Sequence, residues 1–191
     1  MAQFLHVHPD NPQARLLKQA VQWLARGEVL AIPTDSSYAL ACHLDDKAAV
    51  EQLRRIRRVD DKHHLTLLCR DLSELAQFAR VDNRQYRLLK AATPGAYTFL
   101  LEASKEVPRR VSHPQRKTIG LRVPEHRALQ ELLALHAAPL LAYSQNLQLS
   151  PQQAAQRSQA FAQRQISRLS VVGSNAVTAP VIEASFERLV G

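Results

Sequence analysis

The 191-residue sequence has little of what marks several protein classes. Five glycines without a period exclude collagen-like and repeat architectures. Two cysteines, Cys42 and Cys69, cannot build a disulfide framework. Their places after and at the end of apolar strands suit small core residues in a reduced, cytoplasmic setting. No apolar run approaches the roughly 18 residues that span a bilayer. The opening MAQFLHVHPDNPQ lacks the basic and apolar regions of a secretory signal. The GxGxxG fingerprint, the GxxxxGK[ST] phosphate loop and the GxSxG elbow are all missing. Eight histidines are scattered, and His63-His64 lacks zinc-ligand spacing, so no metal site is expected. Aromatic residues make up 5%, too few for stacking on single-stranded bases to dominate.

What is present is a 46% hydrophobic chain of one-domain length, which excludes disorder and gives a single domain over 1–191. The formal net charge is +8. Arg54, Arg55, Arg57, Arg58, Lys62 and Arg70 crowd residues 54–70, and Lys105, Arg109, Arg110, Arg116, Lys117, Arg122 and Arg127 crowd 105–127. These two stretches hold the entire excess. Focused positive charge attracts phosphate, whether of a nucleotide or of a nucleic-acid backbone. The plainer alternative is a pair of solvated basic loops.

Hydrophobic periodicity predicts strands at 3–7, 29–33 (VLAIP), 65–69, 96–102, 118–123, 139–144, 168–173 and 180–183. Helices are predicted from an Asn11-Pro12 cap to Gly27, then at 46–58, 72–80, 83–92, 125–136 and from Ser150-Pro151 to about 165. Irregular alternation predicts an α/β or α+β domain with a mixed sheet.

Five segments in order carry a resemblance: IPTDSSYALAC (32–42), RRIRRVDDKHHLTLLCRD (54–71), TPGAYTFLL (93–101), KTIGLRVPEH (117–126) and PLLAYSQN (139–146). They are similar to the Pro-Thr-Asp-Thr-x-Tyr-Gly-Leu, Lys-x-Arg, Pro-Gly-x-x-Thr, Thr-x-Gly-x-Arg-x-Pro and Ser-x-Asn motifs of the YrdC-like proteins. The wording of 54–71 is closest to the YciO branch. The likeness covers about 10–146 and is weak over 147–191. It implies a YrdC-like twisted open mixed sheet with flanking helices and a basic concave cleft. It also implies synthesis of threonylcarbamoyl-adenylate from L-threonine, bicarbonate and ATP with Mg²⁺, without a tightly bound cofactor. That product feeds tRNA threonylcarbamoyl-adenosine modification. The alternative is a non-catalytic paralogue that binds double-stranded RNA or tRNA.

By the resemblance, Arg57, Lys62, Thr118, Ser144 and Asn146 would meet ATP and its phosphates. Thr34, Tyr38 and Arg122 would hold threonine. In the RNA reading, Arg54, Arg55, Arg58, Arg109, Arg110, Arg116 and Lys117 would contact the nucleic-acid backbone. No single residue stands out as catalytic. For each group a structural reading stays open: Thr34-Asp35-Ser36 as a capped turn, the 54–58 arginines as the wet face of a helix, Arg122 in a salt bridge with Asp35, Ser144 and Asn146 as a strand cap. The sequence departs from the motifs at three places. Arg57 stands at the lysine of Lys-x-Arg and Val59 at its arginine, unless Arg55 and Arg57 form the pair. Ala39 replaces the glycine of Tyr-Gly-Leu, and Pro180 falls where a late hydroxyl is expected.

Overall fold

The computed structural model describes residues 3–36, 38–60, 63–115, 117–144 and 169–173. Its elements in chain order are β1 (Gln3–His6), α1 (Ala14–Ala25), β2 (Val29–Pro33), β3 (Tyr38–His43), α2 (Lys47–Arg57), β4 (Thr66–Leu68), α3 (Leu72–Phe78), α4 (Asn83–Ala92), β5 (Phe99–Glu102), β6 (Thr118–Arg122), α5 (Arg127–His136), β7 (Leu140–Ser144) and β8 (Leu169–Gly173). The predicted helix at 150–165 and strand at 180–183 lie outside the described residues.

Local chemistry accounts for most boundaries. Asp46 caps α2 by accepting from the Ala49 amide at 3.0 Å, and Arg58 ends it in the left-handed region at φ 53°. Asp82 and Gln85 form a reciprocal capping box on α4. Gly27 follows α1 at φ 77°, and a Cβ there would collide with the Asp46 carboxylate. The start of α1 differs from expectation. Asn11-Pro12 does not cap it; the helix begins at Ala14, while His8 Nδ1 accepts from the Asp10 and Asn11 amides. Residues 38–43 carry a strand that periodicity did not single out, so Thr34–Ser36 becomes the turn between antiparallel β2 and β3.

The strands form one mixed sheet in the order β1-β8-β2-β3-β7-β4-β6-β5. β8 is parallel to β1 and β2, and β4 is parallel to β6; the other neighbours are antiparallel. One sheet face is apolar from β2 to β5 (Ala31, Leu40, Leu141, Leu67, Leu121 and Phe99) and packs against α2, α3 and α4. The opposite face holds a second core of Leu30, Ile32, Ala39, Ala41, Leu140, Ala142 and Leu68 under α1 and α5. That core stops at β4. Beyond Leu68 the same face carries Thr66, Thr118, Gly120 and Arg122 by period two, then Leu100 and Glu102, both exposed. No helix among the described residues is long and apolar enough to cross a membrane.

Candidate functional site

The half of the face that no helix of the described residues covers is where the polar groups gather. Register aligns Ala142, Thr66, Gly120 and Leu100 across β7, β4, β6 and β5. Gly120 is required there: a Cβ would come within 2.8 Å of Thr66 Oγ1 and 3.0 Å of the Leu65 carbonyl oxygen. At the start of β6, Thr118 Oγ1 lies 3.0 Å from His64 Nε2, and the His64 ring stacks on His113 at 4.7 Å between centroids.

Arg122 closes the other end of this floor. It is 2% exposed, and burial lowers its guanidinium's pKa, an effect Asp35 opposes. Nη2 donates to Asp35 Oδ1, and to Ser36 Oγ at 3.1 Å. Asp35 Oδ2 in turn accepts from the Glu125 amide at 3.0 Å. Thr34, fully buried, sits 3.1 Å from Ser36 Oγ through its own hydroxyl and accepts from the Ser36 amide. Four strand spacings, about 19 Å on a flat sheet, separate β2 from β6. Contact between Asp35 and Arg122 therefore requires the sheet to curl, making this face concave. Arg122 Nε, although buried, has no hydrogen-bond partner among the described residues. An unpaired N–H on a buried cation is costly, and an incoming acceptor would relieve it.

Arg57 lies elsewhere. Its guanidinium stacks 4.4 Å from the centroid of the Tyr143 ring, which also meets the His63 ring at 5.0 Å. Tyr143 packs against the α2-side core, so Arg57 and Arg122 occupy opposite faces of the sheet. Arg57 Nε is likewise buried and unpartnered. Tyr38 opens β3 opposite Pro33 and is partly exposed; Ser144 ends β7 opposite Ala39. Lys62, Arg116 and Asn146 lie outside the described residues.

The basic segments divide by use. Arg54 donates to the Asp60 and Arg110 carbonyls, and Arg110 to those of Leu44 and Asp45, the latter at 2.8 Å. These two pin the 107–111 segment to α2. The side chains of Arg55, Arg58, Arg109 and Lys117 are exposed and make no hydrogen bond or ion pair among the described residues. Both thiols are buried. Burial, then Asp46, pushes Cys42 up to about 12, and burial raises Cys69 too, so neither supplies a thiolate. Among the described residues no group of three His, Cys, Asp or Glu could hold a metal ion.

Sequence reasoning had singled out Thr34, Thr118 and Arg122, with Asp35 as an alternative partner for Arg122. It missed Thr66 and the His63, His64 and Tyr143 contacts. Thr66 could have been read from LTLLC, where a threonine interrupts an otherwise apolar strand.

Together these features define an α/β protein with a curled mixed sheet, one concave polar face and a buried cation set into it. The chain belongs to the Sua5/YciO/YrdC family, whose model, described as telomere recombination, matches residues 22–179. The protein named YciO from Escherichia coli K12 is 52% identical over 144 residues, 75% of this chain and 70% of that one. The crystal structure of E. coli YciO superposes with a TM-score of 0.83 at 44% identity, covering 97% and 91% of the two chains. A threonylcarbamoyl-AMP synthase of Vibrio vulnificus is 31% identical over 69% of this chain and 72% of its own. The fold is also that of Pyrococcus abyssi Sua5, crystallised with L-threonine: TM-score 0.79, 19% identity, 93% of this chain and 52% of that one.

Proposed function

We propose that the concave face binds L-threonine and ATP and forms threonylcarbamoyl-adenylate for tRNA modification in the cytoplasm. The observation that carries the reading is Arg122, a buried guanidinium on that face with an N–H still unpaired. A carboxylate accepts charge-assisted bonds from such a fork better than any neutral group does. The family relation supports the choice of ligand: a relative 31% identical is named threonylcarbamoyl-AMP synthase, and the Sua5 structure was solved with L-threonine.

In this reading Arg122 holds the threonine carboxylate, while Thr34 and Tyr38 line the amino-acid end. The threonine amine adds to bicarbonate and water leaves, giving a carbamate. A carbamate oxygen then attacks the α-phosphorus of ATP; the bond to the β-phosphate oxygen breaks and pyrophosphate departs. Thr118, with Lys62, Ser144 and Asn146, is assigned to the nucleotide, while Arg57, stacked on Tyr143 across the sheet, is not; Mg²⁺ enters with ATP as its companion. Orientation and charge balance would supply the rate, with no nucleophile from the protein.

Pyrophosphate release tests this directly. It should require both threonine and bicarbonate and fall at least about 100-fold when Arg122 is lost, as removal of a charge-assisted carboxylate contact implies. Because Arg122→Ala alone strands Asp35, the paired variant Arg122→Gln with Asp35→Asn keeps the core neutral. Release unaffected in that variant, or independent of threonine, would overturn the assignment.

The second reading, a binder of structured RNA, is favoured by one observation: Arg55, Arg58, Arg109 and Lys117 are exposed and spend their charge on no protein group among the described residues. Such a binder would lose affinity steeply with salt. Unchanged affinity of Arg55→Ala with Arg58→Ala in low salt would dismiss it.

A further inference from the structure

A cavity of about 660 Å³ opens beyond the carboxyl ends of β4 and β6, bounded by the start of α5 and the end of α4. Val123, which belongs to the α2-side core, forms part of its wall, and none of Thr34, Asp35, Thr118 or Arg122 lines it. Its size is within the range of small-molecule sites. In open α/β sheets, ligands collect outside the carboxyl ends of strands.

Three cations reach this cavity from three separate elements: Arg70 after β4, Lys90 on α4 and Arg127 on α5. Lys90 has no ion pair or hydrogen bond among the described residues. Arg70 and Arg127 each commit only Nε, to Asp71 at 3.1 Å and to Glu131 at 3.2 Å. Both are exposed pairs of little energetic weight, and all the Nη donors remain. Arg127 is also the first residue of α5, whose opening amides have no carbonyl within the helix to donate to. Glu125 and Asp71 also line this space, where a carboxylate can accept from hydroxyl groups, while Leu72, Pro94 and Pro124 give an apolar wall. Cations for a phosphate, a carboxylate for hydroxyls and an apolar wall for the body make one combination.

We propose that this cavity is a second ligand site, separate from the concave face, for a phosphate monoester carried on a polyhydroxylated body. A nucleoside monophosphate and a sugar phosphate share that chemistry. The Pro124–His126 segment gives the site a route to the concave face. Its Glu125 amide holds Asp35, and Asp35 holds Arg122.

The test is calorimetric binding of AMP, ribose 5-phosphate, adenosine and inorganic phosphate to the full chain. It compares wild type, the surface variant Lys90→Gln with Arg127→Gln, and the concave-face variant Arg122→Gln with Asp35→Asn. The expected result is that a phosphate ester binds more tightly than adenosine and than phosphate alone. Affinity should fall about tenfold or more in the surface variant, the loss of two charge-assisted contacts, and persist in the concave-face variant. Binding of AMP alone identifies a nucleotide site, and binding of both esters a sugar-phosphate site. Adenosine or bare phosphate binding as well as the esters, no binding at millimolar concentration, or loss only in the concave-face variant would overturn it. Failure of the adenylate reaction would leave this result standing, since the surface variant touches none of that reaction's residues.

Discussion

Two halves of one sheet face differ in what covers them. From β2 to β7 the face is built of Leu30, Ile32, Ala39, Ala41, Leu140 and Ala142, and α1 and α5 lie on it. From β4 to β5 it is built of Thr66, Gly120, Thr118, Arg122, Leu100 and Glu102, and no core cluster of the described residues includes them. From β2 to β5 the reverse face is apolar. Folding of these six strands is thus secured from one side along the whole span and from both sides along half of it. The remaining quarter is free to carry polar groups, because the strands beneath are already held by α2, α3 and α4. Where that quarter does bury a charge, Arg122, the protein supplies a carboxylate from four strands away.

The sharpest way to break this comparison is a pair of leucine truncations. Leu68, fully buried where the covered half ends, should cost about 2–5 kcal/mol as Leu68→Ala. Leu100, 40% exposed on the bare half, should cost no more than about 0.5 kcal/mol by the same urea titration. A large loss at Leu100 would mean that something covers the bare half in solution. Gly120→Ala should fall between the two, at about 1–3 kcal/mol, because the added methyl meets the Leu65 carbonyl oxygen, which cannot turn aside. Thr66→Ala in the same chain should recover only the part due to Thr66 Oγ1.

Unbroken apolar runs and side-chain caps were the legible features. VLAIP and PLLAYS announce buried strands because nothing polar interrupts them, and Asp46, Asp71 and Asp82 announce helix starts because each caps from its own position. YALACH was passed over as a strand: its small alternating alanines face α1 and α5 and leave no strong period. Around the site, the Thr-x-Gly-x-Arg spacing exposed Thr118 and Arg122 because period two is local. The Asp35–Arg122 contact could be raised only as one option, since it depends on sheet curl, which no short stretch of sequence encodes. The arginines at 54 and 110 were legible as charge but not as braces, because their acceptors are carbonyls, and every residue has one.

The covered half has a weak point at the end of α5. His136, at the end of α5, places Nε2 3.0 Å from Nδ1 of His43 on β3, with the two rings edge to face at 5.0 Å. Burial, then the neighbouring His43, lowers His136 from 6.5 to about 4. The unfolded chain therefore binds a proton that the folded one refuses between those values. The stability tied to the neutral ring is fully present above pH 6.5 and is lost as pH falls toward 4. Because the ring is half-exposed, this effect should be the smallest of the set. Urea midpoints for wild type should fall across that window more steeply than those of His136→Leu, measured in the same buffers so that the carboxylates' own titration cancels. Parallel curves would mean that the imidazole pair is as open to water as the bare half, and that α5 does not seal its end of the sheet.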